Sequence, residues 1–217
     1  MERNIRAPAS DITLNGTFVV PDGAFGTVLF AHGSGSGRLS PRNRFVAESL
    51  QKARLATLLI DLLSEDESVD RRKVFDINLL ADRLLAASAW LGGEPATQSL
   101  PLGLFGASTG AAAALVAAAL RPDLVHAVVS RGGRPDLARD SLPLVVAPTL
   151  LIVGGRDEEV IELNRQAIAR MRCPTELVVI PGATHLFPEP GALEEVARLA
   201  EGWFVERLRT ALKDSDN

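Results

Sequence analysis

Gly106-Ala107-Ser108-Thr109-Gly110 is a G-x-S-x-G run between an apolar, strand-like stretch (Leu100 to Phe105) and an alanine-rich stretch of helix formers (Ala111 to Leu120). Between a strand and a helix this pattern makes a tight turn that lifts a serine hydroxyl clear of the sheet edge, and its glycines avoid the crowding that Cβ atoms would bring. Asp157 follows the apolar run Pro148 to Val153, and His185 follows the run Glu176 to Ile180, each a few residues past the run's end. In a parallel sheet the carboxyl ends of the strands share one edge, so Ser108, Asp157 and His185 are expected to converge there. The chemistry of such a set is acyl transfer. Ser108 acts as nucleophile, His185 takes and returns its proton, and Asp157 fixes the imidazole tautomer and stabilises the imidazolium. Asp157 is the preferred acid, ahead of Asp136 and then Asp61, although an aspartate at this position also suits the cap of a helix starting near Glu158.

Acyl transfer also needs donors for the oxyanion of the tetrahedral intermediate. The backbone N–H of Thr109, at the start of a helix, is the expected first donor. The second is expected from the loop His32-Gly33-Ser34-Gly35-Ser36-Gly37, which follows the apolar run Gly26 to Ala31. Ser34 N–H is assigned there, with Gly33 and Gly35 as near alternatives. The glycine spacing of this loop is not that of a dinucleotide-binding turn, and no Gly-Lys-Ser/Thr follows it, so nucleotide binding is not expected. His32 is read as a residue that holds the loop through its ring nitrogens.

The surrounding elements alternate strand and helix, which predicts a mostly parallel sheet with helices on both faces. Ile12 to Leu14, Asn15-Gly16 and Thr17 to Val20 read as an N-terminal antiparallel hairpin with a two-residue turn. Strands are expected at 26–31, 55–60, 126–130, 148–153 and 176–180. Helices are expected at Pro41 to Lys52 with Ser40 as N-cap, near Val74 to Trp90, after the elbow, and from Gly191 to Leu212. Ser64 to Ser68 reads as an acidic loop. Fewer than twenty residues separate the strands ending at Ser130 and beginning near Thr149. That connection holds a short helix at most, so no cap domain is expected and the site should be open.

Taken together, these residues resemble the α/β-hydrolase superfamily, and within it the small, capless dienelactone-hydrolase-like serine hydrolases. The resemblance runs over nearly the whole chain, through the His32-Gly33 loop, the Gly106 to Gly110 elbow, Gly154-Gly155-Arg156-Asp157 and Gly182-Ala183-Thr184-His185. The order Ser, acid, His is also that of the superfamily. The resemblance implies an α/β-hydrolase fold in a single domain over residues 1–217, with the last few residues disordered. Where dienelactone hydrolases carry a cysteine nucleophile this chain has Ser108, which favours a general ester or thioester hydrolase of small substrates. Acyl transfer or amide hydrolysis on the same triad, or a silent hydrolase-fold binding module, are the alternatives. Arg131, just past a strand end, is a candidate for gripping a substrate carboxylate; Arg42 and Arg44 are weaker candidates.

The 217 residues are 47% hydrophobic with a formal net charge of −4 and no basic cluster, so neither nucleic acid nor an anionic membrane is an expected partner. The alanine-rich run is too short to span a bilayer, and no apolar signal core follows the charged N-terminus. One cysteine, Cys173, allows no internal disulfide and is read as structural, which fits a cytoplasmic protein. His32, His126 and His185 are scattered without metal-ligand spacing, so no metal or cofactor is expected. The expected partner is a small-molecule ester, and the expected state a monomer or homodimer.

Overall fold

The computed structural model describes residues 2–10 and 12–215. These residues form an eight-stranded sheet of order β1-β2-β4-β3-β5-β6-β7-β8, with β1 Glu2–Ala9, β2 Ile12–Val19, β3 Thr27–Ala31, β4 Ala56–Ile60, β5 Leu102–Ala107, β6 Val125–Arg131, β7 Thr149–Gly154 and β8 Thr175–Ile180. β1 and β2 pair antiparallel with each other and β2 pairs antiparallel with β4, while β3 to β8 are joined in parallel.

Central strands β3, β4 and β5 are buried at every position, which is why they read as unbroken apolar runs rather than alternating ones. Alternation survives in where the side chains go. Val28 and Phe30 join Phe105, Val129 and Ile152 beneath α1 (Pro41–Lys52) and α7 (Ala192–Ser215). Leu29, Ala31 and Leu104 face the other way, towards α4 (Ile77–Gly93) and α5 (Thr109–Leu120). α5 is buried from Thr109 through Ala118 and packs against β5, α4 and the 3-10 stretch Pro135–Leu144. Its alanines let a helix apolar on all sides approach the sheet closely while keeping high helix propensity. Helices therefore cover both faces. Past β6 only the 3-10 stretch, kinked at Arg139, intervenes before β7, so among the described residues no cap domain is inserted at that connection.

The N-terminal hairpin is present, but its turn lies elsewhere than expected. β2 runs straight through Asn15-Gly16, and the reversal falls between Ala9 and Ile12, with Ser10 at φ +51°. Gly16 is there for space: a Cβ would come within 2.9 Å of Ile5 Cδ1 and Leu58 Cδ1. The acidic stretch expected as a loop contains a helical turn, α2 (Glu65–Ser68), closed by a capping box between Ser64 and Glu67. The helix expected from Val74 is divided at Phe75-Asp76 into α3 (Arg71–Val74) and α4, each with an aspartate N-cap. α1 has the expected limits and cap, Ser40 Oγ accepting from Asn43 N–H at 3.5 Å. α7 extends to Ser215; the disorder expected at the C-terminal end concerns residues beyond it, outside the described residues.

Candidate active site

Ser108 caps β5 at φ +51°, ψ −123°, a conformation that costs a non-glycine residue about 1–3 kcal/mol. Backbone hydrogen bonds hold it there. Its N–H donates to Arg131 O (3.3 Å), and its carbonyl accepts from the N–H groups of Ala111 (3.1 Å) and Arg134 (3.1 Å). The flanking glycines are steric necessities. A Cβ on Gly106 would lie 2.4 Å from Ala111 Cα, and one on Gly110 would lie 2.3 Å from Ala31 O and 2.5 Å from His32 O. The elbow is thus wedged between the end of β3 and the start of α5.

Asp157 follows β7 and stands at the N-cap position of α6 (Glu158–Ile168), yet its side chain makes no cap hydrogen bond. Its Oδ2 instead lies 2.6 Å from His185 Nδ1. The carboxylate can only accept, so Nδ1 carries the hydrogen, and of the two neutral tautomers this contact selects the one with its lone pair at Nε2. The loop holding His185 is braced by Glu189, which accepts from Thr184 N–H (3.1 Å) and from the Thr184 hydroxyl (2.7 Å). These contacts hold the Glu189 carboxyl below its ordinary pKa, the Thr184 hydroxyl contributing most. Gly132 backs onto His185: a Cβ there would sit 3.0 Å from His185 O and 3.6 Å from Cε1. The end of β6 therefore touches both the elbow and the histidine loop. No hydrogen bond links Ser108 Oγ to His185 among the described residues. The two alternative acids are engaged elsewhere. Asp136 forms a two-point pair with Arg134 (2.9 and 2.8 Å), and Asp61 pairs with Arg38 (3.1 Å).

The His32–Gly37 loop lies against the elbow, since a Cβ on Gly33 would come within 2.8 Å of Ser108 Cβ. His32 holds it as expected. Leu62 N–H donates to Nε2 at 3.0 Å, which leaves the hydrogen on Nδ1, 3.0 Å from Gly33 O. Burial lowers the His32 pKa and keeps the ring neutral. Asp61 tightens the far side of the loop by accepting from Arg38 N–H at 2.7 Å. Ser34 N–H is not a free donor: it donates to Thr109 Oγ1 at 3.1 Å, a tie that sequence alone did not show. Thr109 N–H heads α5, where a helix has no acceptor of its own to offer. A cleft of about 540 Å³ opens beside these two residues, bounded by Arg38, Leu39, Asp61 and Leu80. It meets the elbow through Gly33 and Thr109 rather than through Ser108 itself.

Arg131 ends β6 on the α1 side, buried, with Nη2 donating to Asn43 Oδ1 at 3.3 Å. Asn43 and Glu189 carried no signal in the sequence, because their roles depend on contacts between distant elements.

Comparison with known proteins agrees with this architecture. The model of the dienelactone hydrolase family matches residues 62–208, a span that holds the elbow, Asp157 and His185. The chain is 57% identical to a dienelactone hydrolase from Anabaena variabilis, with a TM-score of 0.93 over 96% of this chain and 98% of that one. Est1E from Butyrivibrio proteoclasticus (18% identity, TM-score 0.81, 95% and 99% covered) shares the fold. So does a serine hydrolase without lid from Xanthomonas campestris (20% identity, TM-score 0.78, 95% of each chain). Proteins of two Mycobacterium tuberculosis strains, each named "Putative phosphoribosyl transferase", are 58% identical over 207 residues, 95% of this chain. The chain spans about half the length of those relatives, 47%. The matched span and the near-complete overlap with the Anabaena structure carry one conclusion: this chain belongs to the dienelactone hydrolase family.

Proposed function

We propose that the chain is a serine hydrolase that cleaves carboxylic esters or thioesters of small substrates through an acyl-enzyme on Ser108. The observation that carries this reading is Asp157, which forgoes the helix cap available to it and accepts from His185 Nδ1 at 2.6 Å. A carboxylate in that role keeps Nε2 as the basic nitrogen. Ser108 Oγ attacks the acyl carbon while Nε2 takes the hydroxyl proton. The tetrahedral intermediate collapses, and the leaving alcohol or thiol departs with that proton. Water then attacks the acyl-serine, gives its proton to Nε2, and the acid is released as Ser108 regains it. The absence of a Ser108–His185 hydrogen bond is compatible with this, because such contacts often tighten only when substrate is bound. Thr109 N–H is the first oxyanion donor. Ser34 N–H is the second, once a substrate oxygen displaces Thr109 Oγ1 from it.

Intact-mass labelling with a fluorophosphonate tests the nucleophile without a guess at the substrate. The wild type should gain one adduct and Ser108→Ala none, and Ser108→Ala should lower ester turnover about a thousand-fold or more. A folded wild type that takes no adduct would overturn the reading.

The name of the mycobacterial relatives raises phosphoribosyl transfer as a second reading. Those proteins are about twice as long as the part matched here, and the matched part is the strand-elbow-helix architecture described above. None of the residues placed at this site is assigned to that chemistry. Pyrophosphate release from a phosphoribosyl donor by this chain would reverse that assignment.

A further inference from the structure

The cleft past Thr109 has its charges already spent. Arg38 is the one basic residue lining it among the described residues. Asp61 meets that charge at 3.1 Å from Nε, and Thr17 Oγ1 accepts from Nη1 at 3.2 Å. Asp61 is locked in this role. Its Oδ1 accepts from Arg38 N–H at 2.7 Å, beside Gly37, where a Cβ would come within 2.7 Å of the same oxygen. Lys73, close along the chain to the lining residue Val74, donates to Glu67 instead. Glu65 adds an exposed carboxylate to the lining. An anionic guest would therefore meet a neutralised guanidinium and a further negative charge.

What the cleft offers is neutral hydrogen-bonding groups. The side chains of Thr13, Asn15, Ser34 and Ser36 line it, and no hydrogen bond among the described residues uses them. Their backbones are held in place. Asn15 O accepts from Asp61 N–H at 2.9 Å, which pins β2 to the chain leaving β4, and Ser34 N–H is tied to Thr109. Leu39, Leu63 and Leu80 supply apolar surface in the same cleft. Position decides which half of a substrate enters. The lining comes from β2 and from the chain after β3 and β4, on one side of β5, whereas His185 follows β8 on the other. The leaving oxygen must face His185, which gives it its proton, so the acyl half points the opposite way, past Thr109.

We propose that this cleft is the acyl subsite and that it takes an uncharged acyl group carrying several hydroxyls on a small carbon frame, as in an ester of a polyhydroxy acid. The proposal rests on the hydrolase reading and names its substrate class. The volume of about 540 Å³ suits such a group, whose frame covers the leucines while its hydroxyls reach the free polar side chains. Each neutral hydrogen bond of this kind is worth roughly five-fold in kcat/KM, so two or three together give about 10–100-fold.

Three ethyl esters test this: ethyl shikimate, with three hydroxyls on its ring; ethyl cyclohex-1-enecarboxylate, the same ring without them; and the monoethyl ester of cyclohexane-1,4-dicarboxylate, which carries a charge instead. With each kcat/KM divided by the ester's alkaline hydrolysis rate, the wild type should prefer the triol about 10–100-fold over both others. Asn15→Leu combined with Ser36→Ala should cut the preference for the triol over the hydrocarbon ring about ten-fold. Both rates in that ratio come from one preparation, so poor folding lowers them together and leaves the ratio readable. A wild type that labels with fluorophosphonate yet prefers either other ester, or cleaves none of the three, loses the acyl subsite and keeps the hydrolase reading. A preference that survives intact in the double variant also overturns the subsite. A folded wild type with neither label nor turnover removes the hydrolase, and the acyl subsite with it.

Discussion

At the scale of single residues, what matters is which partner each polar group has chosen. Asp157 had two acceptable uses, a helix cap or an imidazole, and its 2.6 Å contact with His185 shows the second. Asp157→Asn should therefore leave folding near wild type while lowering ester turnover on the order of 10³–10⁴-fold, because the amide can favour the wrong imidazole tautomer. Steady-state kinetics beside circular dichroism checks both halves, and an active Asp157→Asn would remove the acid from the mechanism. The Thr109 hydroxyl works differently. It accepts from Ser34 N–H and so ties the His32–Gly37 loop to α5. Thr109→Val should lower stability by about 1 kcal/mol, the worth of one neutral hydrogen bond, and Thr109→Ser should restore it. An unchanged urea unfolding midpoint in Thr109→Val would show that the tie is dispensable.

At the scale of elements, the elbow is a packing problem before it is a catalytic one. β3, β5 and α5 approach so closely that a methyl group at Gly110 would collide with the carbonyl oxygens of Ala31 and His32. Backbone atoms in a central strand cannot swing aside, so Gly110→Ala should cost about 1–3 kcal/mol or more. Gly16→Ala meets only the ends of two flexible side chains, Ile5 and Leu58, and should cost less. Urea unfolding midpoints compare the two, and a larger loss at Gly16 would contradict this account of the elbow. The same contrast explains the misplaced hairpin. Asn-Gly favours a two-residue turn locally, but in β2 the glycine answers to the side chains closing over it.

At the scale of the whole molecule, His32 couples the loop after β3 to the chain leaving β4. Its Nε2 accepts from Leu62 N–H inside the fold, a bond that protonation abolishes. Burial sets its folded pKa below the unfolded value of about 6.5, so the unfolded chain binds the proton more readily between those limits. Its contribution to stability is accordingly present above about pH 6.5 and lost as pH falls from there through the folded pKa. His32→Gln should be less stable than wild type at pH 8, and the gap should narrow as pH falls towards 5. Thermal unfolding at several pH values measures this, and a gap that widens in acid would reverse the sign.

Much of this protein could be read from residue order. Parallel strands buried on both faces must be unbroken apolar runs, and a strand-to-helix elbow must carry small residues, so β3, β4, β5, α1 and the Gly106 to Gly110 turn were legible as patterns. Ser108, Asp157 and His185 were legible as candidates because the ends of parallel strands share an edge. Tertiary structure decided what patterns do not encode, namely the choice among competing partners. It gave Asp157 to His185 and Asp61 to Arg38, turned Ser34 N–H onto Thr109, and buried Arg131 against a neutral amide. Propensity and periodicity are properties of neighbours along the chain. A hydrogen bond between loops dozens of residues apart exists only once the sheet has brought their ends together.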